Sequence, residues 1–164
     1  MPTPSIYLRL RSALPLLCLM LVATSCAQQP GRGMPQAARE TIHTLFAGHA
    51  NLRREVKLTA DGYTALTESE DPALAAALKK HVGQMQSRLA SGLSVRRWDP
   101  AFAQYCDHYD EMEHVFTPTA KGVRMTVKGR TAKAAKIAQN HASIISAFVA
   151  HGGSKHDTRH PAVP

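Results

Sequence analysis

Residues 55–72 read EVKLTADGYTALTESEDP, and residues 115–132 read VFTPTAKGVRMTVKGRTA. In the first stretch Val56 and Leu58 alternate with charged Glu55 and Lys57, the period of a strand with one wet face. Ala60-Asp61-Gly62 makes the turn, where glycine is free to take a positive φ. Tyr63 to Glu68 return as the partner strand. Asp71-Pro72 then opens a helix with a capping carboxylate and a proline in the first turn. The second stretch follows the same order: beyond Gly122, Val123, Met125 and Val127 alternate with Arg124, Thr126 and Lys128. Each stretch is a hairpin that leads into a helix.

Working outward, the two hairpins belong to a pattern repeated at an offset of 60 residues: Gly62 with Gly122, His81 with His141, and Gly92 with Gly152. Apolar positions ahead of each hairpin agree as well, Ile42 with Phe102, Leu45 with Tyr105, Leu52 with Met112, and Val56 with Phe116. Ala38, Ile42, Leu45, Phe46, His49 and Leu52 recur at helical spacing in the first half. In the second, Asp99-Pro100 repeats the cap-and-proline device. The last helix carries Ala134, Ile137, Ala138, His141, Ile144, Ile145 and Phe148 along one stripe, and Gly152-Gly153 stops it. These readings predict an α+β domain over residues 36–152, made of two helix–strand–strand–helix halves, about 36–92 and 99–152. Its four strands form one antiparallel sheet covered by helices, with pseudo-two-fold symmetry.

The chain has 164 residues, of which 44% are apolar, 20% charged and 5% aromatic, so one domain with an aliphatic core is expected. Twenty Lys and Arg against twelve Asp and Glu give a formal charge of +8. The N-terminus changes what that charge means. Arg9 and Arg11 precede an uncharged apolar run from Ala13 to Val22, too short for a stable bilayer span. Ala23-Thr24-Ser25-Cys26 follows, and small residues before a cysteine at this place resemble the bacterial lipobox. The resemblance covers the signal only. It implies cleavage of residues 1–25, a lipid of the palmitate type on Cys26, and a membrane anchor. Ala27, where a sorting Asp would otherwise stand, implies by the same resemblance the outer membrane, facing the periplasm.

Loss of the signal removes Arg9 and Arg11 and no acid, so +8 becomes +6. An exported protein has no nucleic acid to meet, and anionic headgroups become the expected partner of the basic charge. Cys18 leaves with the signal and Cys26 carries lipid, so Cys106 stands alone and no internal disulfide forms. Residues 26–35 are expected to be a lipidated tether and residues 153–164 a flexible tail containing His156 and His160.

The histidines carry the chemical expectation. His49, His81 and His141 fall inside apolar stripes, where an imidazole has a donor and an acceptor to satisfy. His108 stands near the place equivalent to His49. His81/Met85 and His108/Met112 are i,i+4 pairs, neighbours on a helix surface. Imidazole, thioether and the nearby Cys106 thiol suit copper, and imidazole or methionine suits the iron of a non-covalent haem b. The expected site is therefore His81, His141, His49 and His108, with Met85 and Met112. CxxCH, HExxH and paired CxxC are absent from the sequence, as are GxSxG and a phosphate-binding loop, so no enzyme class is indicated. The competing expectation is an envelope lipoprotein that binds a protein or an anionic lipid surface. Lys121, Arg124, Lys128 and Arg130 would form the contact, extended by Lys133 and Lys136, with Trp98 as its anchor.

Overall fold

The computed structural model describes residues 33–164; the signal, Cys26 and most of the tether lie outside the described residues. The described chain is α+β. Helix α1 (Gln36–Ala47) leads through a short 3-10 turn to β1 (Leu52–Thr59), β2 (Gly62–Ser69) and α2 (Pro72–Ala90). The second half repeats it as α3 (Pro100–Asp107), a second 3-10 turn, β3 (Met112–Pro118), β4 (Gly122–Gly129) and α4 (Ala132–His151). Both 3-10 turns, both inner strands and the starts of both long helices keep the 60-residue offset.

The strands form one antiparallel sheet in the order β1-β2-β4-β3. Register makes the symmetry explicit. Ala65 of β2 pairs with Met125 of β4, which is its own equivalent 60 residues on. The pseudo-two-fold axis therefore passes through that pair. On β2, Tyr63, Ala65, Thr67 and Ser69 are buried by the helices, while Arg53, Glu55, Arg124 and Lys128 stand on the other, solvent-facing side.

The turn glycines are needed for the seam between β2 and β4 as much as for the turns. A Cβ on Gly62 would lie 2.0 Å from the Val127 carbonyl oxygen, and one on Gly122 would lie 2.0 Å from that of Thr67. Val127 and Thr67 are themselves equivalent residues, so one steric constraint is met twice.

The helices exploit the sheet unequally. α4 lays Ala134, Ala138 and Ala142 against it, each with no exposed surface, around Tyr63, Val127 and Ile137. At the equivalent places α2 carries Leu74, Leu78 and Val82, and its buried residues stop at Leu78. Small side chains let α4 sit down on the sheet along its length. The larger ones hold α2 off, and its second half meets a space rather than packed atoms.

The tail differs from the expectation of a flexible segment. Residues 156–163 are tied to the start of α3 by Asp99, which is fully buried. Asp99 caps α3 by accepting from the Ala101 amide at 3.1 Å. The same carboxylate accepts from the His160 amide at 3.2 Å and from the His160 ring at 2.7 Å. Gln104 and Val163 exchange two further hydrogen bonds, at 2.8 and 2.9 Å. Burial alone would raise the Asp99 pKa, but the His160 hydrogen bonds outweigh it and hold the carboxyl below its ordinary value. The folded unit therefore runs to Val163.

Two sets of variants test this frame by chemical denaturation. Gly62→Ala and Gly122→Ala should each cost at least about 2–3 kcal/mol, by matching amounts, because backbone must move. Gly83→Ala, in the exposed middle of α2 with nothing within 4 Å of the new methyl, should gain about 0.5–1 kcal/mol. Asp99→Ala should cost about 3–5 kcal/mol, since it strips a cap and leaves Arg96 and His160 without their anion. His160→Ala should cost less, as the cap survives.

Candidate functional site

The space beneath α2 is a partly open cavity of about 270 Å³ lined by the inner face of the sheet and all four helices. Leu78, His81, Val82, Met85 and Leu89 reach it from α2, and His141, Ile145 and Phe148 from α4. The sheet contributes Leu52 and Arg54 from β1, Thr67 from β2, Phe116 from β3, and Val123 and Met125 from β4. Met125, at the pseudo-two-fold axis, is part of the wall. Among the described residues the lining contains no Asp or Glu.

His81 and His141, equivalent in the duplication, both line this cavity. The Nδ1 atom of each is shut off from water and has no hydrogen-bond partner among the described residues. Burial pushes the His81 imidazole down to about 4. Burial, and after it the charges of Arg54 and His114, push His141 down to about 3. Both rings are therefore neutral at pH 7. His141 stacks on Tyr105 with centroids 3.9 Å apart and meets the Phe102 ring edge-on at 5.2 Å. Met85, one turn beyond His81, is on the same wall.

The other expected site residues lie elsewhere. α1 stops at Ala47 and α3 at Asp107, so helical spacing no longer applies at His49 or His108. The His49 ring donates from Nδ1 to the Val149 carbonyl at 3.1 Å. It occupies the space that a side chain on Gly152 (φ +57) would need. His108 caps the end of α3 and bonds Glu111 at 2.7 Å. Met112 begins β3 and is packed in the core beside Tyr63 and Val127, so it forms no helical pair with His108. Cys106 is half-buried against the Val95 carbonyl, and burial raises its thiol pKa. Among the described residues no group of three or more His, Cys, Asp or Glu side chains is placed to hold a metal ion.

The basic patch is largely spoken for. Lys121 pairs with Glu70 at 2.7 Å, Lys128 approaches Asp61 at 3.7 Å, and Arg130 donates to the Asp110 carbonyl at 3.1 Å. Of the four, Arg124 alone has no such partner among the described residues. Trp98 keeps 44% of its surface exposed but carries the Arg96 guanidinium 4.3 Å above its ring.

His156 and Arg54 line the cavity although neither is among the expected site residues. His156, assigned to the solvated tail, stands at the wall with its ring edge-on to Phe46. Arg54 projects inward from β1, and its signal was present in the alternation: Leu52, Arg54, Val56 and Leu58 share one parity. Its Nη1 donates to Thr67 Oγ1 at 2.7 Å and its Nε to Ser146 Oγ at 3.3 Å, while Nη2 has no partner.

No protein-family model matches the chain, and no curated protein or solved structure does either.

The depressed imidazole pKa values make a pH test. In the unfolded chain these histidines titrate near 6.5. As pH falls below that, the unfolded state takes up protons that folded His81 and His141 refuse until about 4 and 3. Their contribution is complete above about pH 6.5 and is lost as pH falls through the folded values. The wild-type Tm should fall between pH 7 and 4 more steeply than that of the His81→Phe/His141→Phe double variant, in differential scanning calorimetry.

Proposed function

We propose that this chain is an exported, membrane-tethered binding protein that takes a compact apolar molecule into the cavity, in contact with His81 and His141. The observation that carries the reading is the pairing of an apolar cavity with two buried, neutral imidazoles whose Nδ1 atoms lack partners. Buried polar groups normally find partners, and a pocket with a few unsatisfied polar groups on an apolar wall is the usual form of a ligand site. Localisation rests on the lipobox resemblance at Cys26, with the protein held at the outer membrane and facing the periplasm. No helix of the described residues is long and apolar enough to cross a membrane.

A transition metal such as copper, or haem b, is the second reading, favoured by the neutral state of both imidazoles, which is the form that ligates metal. His81, His141 and Met85 would supply the ligands. One observation weighs against haem: the cavity falls just under the ~300–1,000 Å³ of small-molecule sites, which suits a compact organic ligand better than a macrocycle. Docking on a protein or an anionic membrane through the basic face draws less support, since three of its four cations are already engaged.

Isolation of the protein from the periplasm tests these readings together, by native mass spectrometry, absorption spectroscopy and metal analysis. A retained organic molecule, displaced or bound at least tenfold more weakly in His81→Ala and His141→Ala, is the expected result. A Soret band or stoichiometric copper would move the assignment to the second reading. A protein that retains nothing, and gains no stability from apolar ligands, haem or copper, would exclude both.

A further inference from the structure

Among the described residues, Arg54 is the one arginine of the cavity wall without a counter-ion. The second arginine there, Arg96, faces Asp99 at 3.4 Å. Arg54 has only hydroxyl partners, Thr67 and Ser146, and no ion pair among the described residues. Its Nη2 has no closely placed acceptor among the described residues. The hydroxyl of buried Tyr63 lies beside the guanidinium and interacts with it by charge and hydrogen bonding, but a neutral phenol is no counter-ion. A guanidinium does not shed its proton, so an enclosed one demands an anion.

The duplication supplies an internal control. The residue equivalent to Arg54 is His114 of β3, which also points inward. His114 is satisfied from within: its Nε2 meets the Tyr105 hydroxyl at 2.9 Å, and its ring stacks on Tyr109 with centroids 4.2 Å apart. Evenly matched places in the two halves thus hold one closed polar group and one open cation. With His81 and His141 neutral and no carboxylate in the lining, the cavity has a single uncompensated positive charge.

We propose that the cavity's ligand is an apolar molecule bearing one carboxylate, with the carboxylate on Arg54 and the apolar part among Phe46, Leu78, Met85 and Phe148. One guanidinium balances one carboxylate, and the Thr67 hydroxyl, which lines the cavity, can turn to donate to its oxygens. The small volume points to a medium-chain or aromatic acid. This inference rests on the cavity being a ligand site, and the test separates the two.

Binding of decanoate and of 1-decanol is measured by calorimetry at pH 7.5, with a chain that begins at Ala27. Such a chain keeps every core cluster, all of which lie at or beyond Ala38. Decanoate should bind at least tenfold more tightly than decanol. In Arg54→Met that preference should vanish with decanol binding retained, and the ligand-free variant should melt no lower than wild type. A purely structural Arg54 would instead lower the melting temperature and leave the preference untouched. Arg54→Gln serves the same comparison if the methionine variant does not fold. Equal binding of acid and alcohol by wild type, or a preference that survives in the variant, overturns the carboxylate assignment while leaving the cavity a ligand site. Binding of neither probe overturns both.

Discussion

The seam between β2 and β4 is the constraint on which the other features depend. Two inner strands must approach closely enough to pair along their length, and at each end a glycine makes that approach sterically allowed. From this pairing follow the order of the sheet, the side on which both long helices lie, and the placing of equivalent residues on opposite sides of one axis. His81 and His141 reach a common space because their helices start at equivalent distances from the seam. Met125 is in the cavity wall because it sits on the axis itself.

Symmetry at the seam does not extend to the packing above it. Alanines let α4 close on the sheet, whereas leucine and valine keep α2 away. A fully symmetric molecule would have filled both sides or left both open. The cavity is the product of a duplicated backbone and unequal side-chain volumes, and its polar groups are unequal in the same way. His114 is satisfied within the fold, whereas Arg54 has hydroxyl partners but no counter-ion among the described residues.

The fold was legible because its determinants are local. Alternation around Gly62 and Gly122, cap-and-proline pairs at Asp71 and Asp99, and apolar stripes in the long helices each act within a few residues. Residues of the cavity wall were legible where the same regularity held, at His81, Met85 and His141. It failed at His49 and His108, which lie past the ends of short helices, where no periodicity fixes the direction of a side chain. Arg54 was hidden for a different reason: a strand arginine is ordinarily solvated, and only the assembled sheet and helices show that this one is enclosed. The tail was hidden because its structure depends on Asp99, about sixty residues away, and on nothing in its own composition.

The attachment of that tail has a consequence for the order in which the molecule is made. A ribosome releases the cap of α3 long before it releases the residues that complete it, for His160 and Val163 follow Asp99 by about sixty residues. Until they emerge, the buried carboxylate of Asp99 has lost its imidazole partner, and Gln104 has lost both of its bonds to Val163. The growing chain can form its sheet and lay down α4, but it stays unlatched at α3 until His160 and Val163 have emerged. The start of α3 is thus secured only after α4 has been made.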